Sequence, residues 1–320
     1  MRLNTKEFKV NEFEEKIKEI YPEFAERIID FHHGVRARKS FRICNLMDLE
    51  SVLSNLDKEG VLCKKVYENI YITEDDSSSQ NLSKTRSFLE KKIYIQELSS
   101  TLPVHVCTQF FDRSQNLKVI DLCASPGSKT TQIIETFRNS QVYANEPNKR
   151  RFFKLRQIVT DYGHQVNFLK FHAQKISKLN KSLRNQFDIV LCDVPCSNEG
   201  SLNLDSAKSM KYWTKKEPKH ICKLQRGIIN AGVELLNHGG ILVYSTCTYS
   251  IEENEGVIYW LLKKRRDIRL VDFDIYPSQH VNGITQFFRE KDLVCDLKKC
   301  KRVLPFDGWK AFFISVIKKV

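Results

Sequence analysis

Apolar positions follow two different rhythms along this chain. Near the start, Phe13, Ile17, Ile20, Phe24 and Ile28 recur at helical spacing, which predicts an amphipathic helix over 11–31. Tyr21-Pro22 is a candidate break, because proline lacks the N–H that a helix interior requires. Next come a strand "FRICN" (41–45), a helix "DLESVLSNLDKEG" (48–60) and an extended "KVYENIYIT" (65–73), read as a small β-α-β unit. The polar "TEDDSSSQN" (73–81) reads as a loop or linker. From about residue 117 the rhythm changes. "LKVIDL", "QVYANE", "VNFLKF", "FDIVLCD" and "GILVYST" are short apolar runs separated by helical stretches such as 149–162 and 218–236. Alternation of that kind predicts an α/β fold: a doubly wound, mostly parallel Rossmann-like sheet with helices on both faces. The later runs "IRLVDFDI", "ITQFFR" and "AFFISVI" have no long helix between the last two, which suits an antiparallel C-terminal hairpin at the sheet edge. The expected division is 1–95, an N-terminal helix plus a small α+β domain, and 96–320, the large α/β domain.

Composition sharpens the class. In 320 residues, 41% hydrophobic content suffices for a proper core, and the net charge of +13 favours a polyanionic partner, nucleic acid before a membrane surface. Basic clusters stand at Arg36, Arg38, Lys39 and Arg42, at Lys149, Arg150 and Arg151, through the lysine-rich loop from Lys208 to Lys223, and at Lys263 to Arg266. Each alone reads as a solvated face; four together with the overall excess favour RNA or DNA. The first residues lack the apolar stretch of a signal peptide, and no window approaches a bilayer span, so an intracellular protein is expected. Its ten cysteines should therefore be free thiols, and their spacings fit no structural zinc site; no metal is expected.

In doubly wound sheets, ligands bind beyond the carboxyl ends of the strands. Cys123, Glu146, Asp193, Cys196 and Cys247 all sit at or just past such an end, which predicts one cleft. "VIDLCASPGSKTTQ" (119–132) is a strand, a tight turn and a helix start. It has one glycine where a dinucleotide fingerprint needs three, and lacks the GK pair of a phosphate-binding loop. A one-glycine turn followed by an acidic residue at the next strand end, Glu146, is typical of S-adenosylmethionine sites, the carboxylate taking the ribose hydroxyls.

"DLCASPGSKTTQ", "ANEPNKRR", "CDVPCSNEG" and "VYSTCTYSIEENEGVI" resemble, in order and spacing, the motifs of the Sun (Nol/Nop/Sun) family of RNA cytosine 5-methyltransferases. "FRICN", "YIQELSSTLP" (94–103), "GITQ" (283–286) and "RVLPFDGWKAFFISVIKK" (302–319) extend the resemblance to about residues 35–320, and the flavour is that of the eukaryotic multisite tRNA methyltransferase branch. The resemblance implies S-adenosylmethionine as cofactor, held by Cys123, Ala124, Ser125, Pro126, Gly127, Ser128, Lys129, Glu146, Arg151, His172 and Asp193. It makes the small N-terminal domain an RNA-binding one. It implies Cys247 as the nucleophile that adds to carbon 6 of cytosine and Cys196 as the helper in product release, with Asp193 on the base's ring edge and Lys129 supplying a positive field. DNA cytosine methyltransferases use the cysteine of their Pro-Cys motif, here Cys196, so the attacking thiol stays open between the two. Two departures stand out. His172 replaces the usual acidic residue that contacts adenine, and "PCSNEG" replaces "PCSGDG". The expected partner is an RNA substrate, tRNA ahead of rRNA, and the protein is expected to be a monomer in the nucleus or cytoplasm, the nucleus slightly favoured in a eukaryote. A non-catalytic RNA-binding or assembly protein on the same fold is the rival from another class, and a class I methyltransferase acting on nitrogen or on protein is a further one.

Overall fold

The computed structural model describes residues 5–34, 38–215, 219–275, 277–288 and 295–320. Arg36, the 216–218 part of the lysine-rich loop, including Pro218 at the expected helix start, and Arg289 lie outside the described residues.

The first apolar rhythm yields two helices, Thr5–Ile20 and Ala25–His32, interrupted as expected around Pro22. Phe13, Ile17, Tyr21 and Ile28 pack on Leu204, Met210, Trp213, Tyr249 and Leu304, so this helical pair lies on the large domain. Arg302, 1% exposed, secures the contact: it pairs with Glu255 at 2.5 Å and donates to the Tyr21 hydroxyl at 2.7 Å and the Tyr249 carbonyl at 2.9 Å.

The small unit is an antiparallel sheet of four strands, β1 (Ser40–Ile43), β2 (Cys63–Tyr67), β3 (Ile70–Thr73) and β4 (Ile93–Ile95), in the order β2-β3-β1-β4. The stretch expected as one extended run doubles back at Glu68-Asn69, where Glu68 takes a φ of 43°. Asn69 fastens the turn by donating to the Ile43 carbonyl at 2.6 Å. Helix Leu49–Lys58 buries Val52 and Leu56 on Phe41, Ile43, Tyr71 and Ile93. The segment expected as a loop over 73–81 contains a helix, Asp76–Asn81. Its polarity is used for capping and packing rather than for solvation. Asp75 accepts from Ser78 N at 2.6 Å, the Ser78 hydroxyl accepts from Leu62 N at 2.8 Å, and the Ser79 hydroxyl pairs with Thr73 at 2.6 Å. Arg42, fully buried, ties β1 to the large domain through Glu135 at 2.7 Å.

Among the described residues the large domain forms a nine-stranded sheet. Strands β5 (Lys118–Asp121), β6 (Gln141–Asn145), β7 (Asn167–Leu169), β8 (Phe187–Asp193) and β9 (Leu236–Thr246) are parallel. They are joined by β10 (Ile268–Val271), β11 (His280–Asn282), β12 (Lys301–Val303) and β13 (Phe312–Lys319), which pair antiparallel. The order is β11-β12-β13-β9-β8-β5-β6-β7, with β10 also on β13. Ile120, Val190 and Leu242 face helices Lys219–Leu235 and Glu255–Lys264, while Val119, Leu191 and Val243 face helices Leu102–Cys107 and Ser128–Thr136. A sheet covered on both sides needs continuous apolar runs, the signal by which these strands were read. The C-terminal hairpin exists, but its partner strand is β12, not "ITQFFR". Residues 283–288 form an irregular turn: Ile284 N is taken by the Glu255 carboxylate at 2.9 Å and Phe288 packs on Tyr259 at 4.8 Å, so these apolar side chains serve a helix and not the sheet.

Chain order from β5 runs outward through β6 and β7, then returns to β8 and β9 on the other side of β5. The reversal opens a crevice between the ends of β5 and β8, where a doubly wound sheet binds its ligand.

Candidate active site

The parallel register aligns Asp193 with Ser245, so the chain leaves β8 and β9 side by side. Ser245 donates to Asp193 Oδ1 at 2.8 Å, and Lys129, from the first turn of helix Ser128–Thr136, reaches Asp193 Oδ2 at 2.7 Å. Just beyond, the sulfurs of Cys196 and Cys247, 51 residues apart in the chain, lie at 3.3 Å. Cys247 N donates to Cys196 Sγ at 3.4 Å, and Cys247 Sγ is 3.0 Å from Asn198 Oδ1. Asn198 has a left-handed backbone, φ 59°, which turns the loop back over the thiols.

Two buried carboxylates clasp the loops together. Glu199, 1% exposed, accepts from Lys16 Nζ at 2.9 Å, Trp213 Nε1 at 2.8 Å, Thr248 Oγ1 at 2.9 Å and Tyr249 N at 3.2 Å. Glu253 Oε2 accepts from Ser197 N at 3.1 Å and Gln225 Nε2 at 2.7 Å. Gly200 N donates to the Cys247 carbonyl at 2.9 Å, and a Cβ at Gly200 would lie 2.8 Å from the Ala311 carbonyl, so no larger residue fits without a shift. The Cys196 thiol is pushed well above its ordinary range, first by its hydrogen bond with Cys247 and then by desolvation.

The other half of the crevice is the turn after β5. Gly127 takes a φ of 122°, a conformation that suits glycine, and leads into helix Ser128–Thr136. Ala124 N donates to the Asn145 carbonyl at 3.1 Å. Arg151 donates to the Ser125 carbonyl at 2.9 Å and lies 3.4 Å from Glu146 Oε2, while Glu146 Oε1 accepts from Asn148 N at 2.9 Å. Asp121 beneath the turn is pushed up to about 6 by burial, against the opposing hydrogen bond from Thr130 at 2.8 Å. The Cys123 thiol is raised well above its ordinary value, first by desolvation and then by the carboxylates of Asp121, Asp193 and Glu146. Three carboxylates thus lie around one turn, two of them paired with Lys129 and Arg151.

Of the residues singled out from sequence, Cys247 pairs with Cys196 and Asp193 with Lys129, at or just past the adjacent ends of β9 and β8, and Cys123, Ala124, Ser125, Pro126, Gly127, Ser128, Glu146 and Arg151 line or brace the adjoining turn. His172 is exposed and its carbonyl accepts from Lys175 N at 2.8 Å, with the buried Ala173 following it. Sequence reasoning noted Glu199 only as a departure within "PCSNEG" bearing on how that loop closes, and did not find Glu253, Gln225 or Lys16 as parts of the site. It also passed over Asn145, whose side chain donates to the Leu122 and Phe171 carbonyls at 3.0 Å and accepts from Phe171 N at 2.9 Å, pinning three strand ends. Glu199 and Glu253 were visible as acids inside motifs; the partners from other elements were not. No group of three or more His, Cys, Asp or Glu side chains suited to a metal ion occurs among the described residues, and none of their helices is long and apolar enough to cross a membrane.

Comparison with known proteins bears directly on this arrangement. The family described as 16S rRNA methyltransferase RsmB/F matches residues 108–318, the span that carries both thiols and the turn. The chain belongs to the RsmB/F methyltransferase family. Its resemblance to the Sun family is thereby borne out, and so is the fold expected of it. RsmB/F relatives include the ribosomal RNA small subunit methyltransferase F of Cronobacter sakazakii, 36% identical over 199 residues that make up 62% of this chain and 40% of the relative. The protein of the same name from Escherichia fergusonii is 35% identical over 66% of this chain and 44% of its own length. The chain thus spans less than half the length of these relatives. Among solved structures, a methyltransferase homolog from Pyrococcus horikoshii is 27% identical, with a TM-score of 0.74 over 96% of this chain and 94% of its own. NSun6 from Pyrococcus horikoshii, solved with SFG, shares the fold at a TM-score of 0.78 and 20% identity, over 97% of this chain and 98% of that one.

Proposed function

We propose that this protein methylates carbon 5 of a cytosine in RNA, with S-adenosylmethionine as methyl donor and Cys247 as nucleophile. The observation that carries the reading is the pair of thiols at 3.3 Å beside the Lys129–Asp193 ion pair, at the carboxyl edge of a class I methyltransferase sheet. Carbon 5 of cytosine is a weak nucleophile until a thiolate adds to carbon 6 and makes the ring electron-rich, so the chemistry calls for an aimed cysteine. Cys247, just past the tip of β9, would be the group that adds. Cys196, hydrogen-bonded to Cys247 across 3.3 Å, would serve as the proton partner of that thiol. Asp193 would accept from the amino edge of the base and from ring nitrogen 3 as that nitrogen takes up a proton on thiolate addition, and Lys129 would offset charge that builds on the ring. After transfer, the carbon 5 proton leaves to a base and the Cys247–carbon 6 bond breaks, with Cys196 hydrogen-bonding the departing sulfur.

The donor would lie against the turn 122–127: Asp121, Glu146 and Asp193 around Cys123 would suit a sulfonium cation, and Glu146, just past the end of β6, would take ribose hydroxyls. When bound there, S-adenosylmethionine supplies an electrophilic methyl group. Cys123, Ala124, Ser125, Pro126, Gly127, Ser128, Lys129, Glu146, Arg151 and Asp193 would hold it, with His172 in place of an acidic adenine contact. We take the four-stranded unit within 1–95 as an RNA-binding module and 96–320 as the methyltransferase domain, and a monomer as the working form.

The motif flavour favours tRNA, whereas the relatives carry the name of small-subunit rRNA enzymes. The test therefore incubates the purified protein and S-adenosylmethionine with unmodified transcripts of both kinds and reads them by bisulfite sequencing. A protected cytosine in one transcript, lost with Cys247→Ala, is expected. Absence of protection in both would overturn the assignment.

A further inference from the structure

The geometry points to a second RNA-contact surface: a basic, aromatic-floored groove across helices Lys219–Leu235 and Glu255–Lys264 that receives single-stranded RNA next to the target base. One section, of about 850 Å³, runs between helix Thr5–Ile20 and helix Glu255–Lys264; another, of about 440 Å³, lies between helix Lys219–Leu235 and the 174–178 segment. Arg226, Trp260 and Lys264 line both, so the sections are continuous.

Charge and ring chemistry select the occupant. Lys219, Lys223 and Arg226 follow helical spacing on one wall, and Lys215, Lys263 and Lys264 stand on the others, against the carboxylates Glu19, Glu234 and Glu252. The floor is aromatic: Tyr259 packs on Phe288 at 4.8 Å, Trp260 is partly exposed and Phe287 is 46% exposed. Lys264 Nζ lies 4.9 Å from the Trp260 ring centre and the Arg226 guanidinium 5.8 Å from it. The Arg226 Nε–H is buried with no acceptor among the described residues. Cations that follow a backbone, set beside flat rings that accept any base, are the recurring means of holding a single strand.

The groove also adjoins the loops that carry the thiols. Gln225, beside Arg226 in the chain, donates to the Pro195 carbonyl at 2.9 Å, next to Cys196. Ile251 and Glu252, on the groove's rim, follow the Cys247 loop. Extruding a base from its stack has to be offset by contacts to the flanking nucleotides, and this groove supplies them.

The inference rests on RNA being the substrate, as proposed above, but not on methyl transfer, so binding tests it separately. Fluorescence anisotropy with labelled oligouridylate reads the full chain across a salt series. Lys223→Glu with Lys264→Glu should weaken binding by about tenfold or more and flatten the salt slope. Trp260→Leu should weaken it about tenfold with the slope unchanged. Lys181→Glu, an exposed lysine outside the groove, serves as control and should bind as wild type does. The lysine reversals are on exposed positions, so they preserve the test if the Trp260 variant misfolds. Wild-type affinity in all groove variants, an equal loss in the control, no binding by wild type, or displacement by polyglutamate as readily as by unlabelled RNA would each overturn the groove; the last would assign it to an acidic protein. A wild type that binds through the groove but protects no cytosine sinks the methylation reading alone.

Discussion

The two sides of the crevice are built by different means. On the turn side, the residues come from consecutive β-turn-α units: Asp121 to Lys129, Asn145 to Arg151, Phe171 to Ala173. They are held mainly by main-chain geometry, the parallel register and one bridging asparagine. On the thiol side, two loops 51 residues apart are brought into contact by buried carboxylates whose partners arrive from Lys16, Trp213 and Gln225. The first side is a local structure that packing then covers. The second exists only when remote parts of the chain have docked, so perturbations should separate the two.

The largest effect is expected from the sulfurs. Cys247→Ala should abolish 5-methylcytosine formation, while Cys196→Ala should accumulate a covalent RNA adduct visible on a denaturing gel; the reverse pattern would exchange their roles. Asp193→Asn, which touches both sides through Lys129 and Ser245, should lower kcat by about 10²–10³-fold in single-turnover assays, as loss of a preorganised polar group does. Lys16→Met leaves the Glu199 carboxylate buried without its cation and should cost about 3–5 kcal/mol in urea denaturation. Adding Glu199→Gln should recover part of that loss, and cofactor affinity by calorimetry should not change, because the clasp belongs to the thiol side alone.

Asp121 gives the turn side a pH signature. Its folded-state pKa of about 6 lies above the ordinary 3.8, so the folded protein holds this proton more tightly than the unfolded chain. Its stabilising contribution is full below about pH 4 and is lost as pH rises through 6. Asp121→Asn should therefore gain up to about 3 kcal/mol relative to wild type between pH 4 and 7, by denaturation at several pH values. A constant difference across that range would contradict it. Smallest, Glu146→Gln should weaken S-adenosylmethionine binding about tenfold in calorimetry with stability unaltered, as expected for loss of a charged hydrogen-bond acceptor.

Legibility in the sequence followed the same division. The parallel strands were readable because burial on both faces demands continuous apolar runs, and Glu146, Asp193 and Cys247 were readable because each ends such a run. "ITQFFR" misled because an aromatic run that packs on a helix has the composition of a strand. The 73–81 segment misled because capping and buried serine pairs use the same polar residues as a solvated loop. Lys16 lies in a helix rich in charge, where nothing local separates the lysine that becomes buried from its exposed neighbours.

The sequence by itself determined the strand-helix alternation, the carboxyl-edge positions of the chemistry and the basic character of the surface, since these depend on periodicity, chain direction and net charge. Only the tertiary structure decided that two sulfurs lie within contact distance, that Glu199 is clasped by a lysine from the first helix, and that scattered lysines and rings form one groove. Those depend on side chains distant in the chain sharing a low-dielectric interior or a common surface, and that proximity is produced by packing and leaves no periodic trace in the residues themselves.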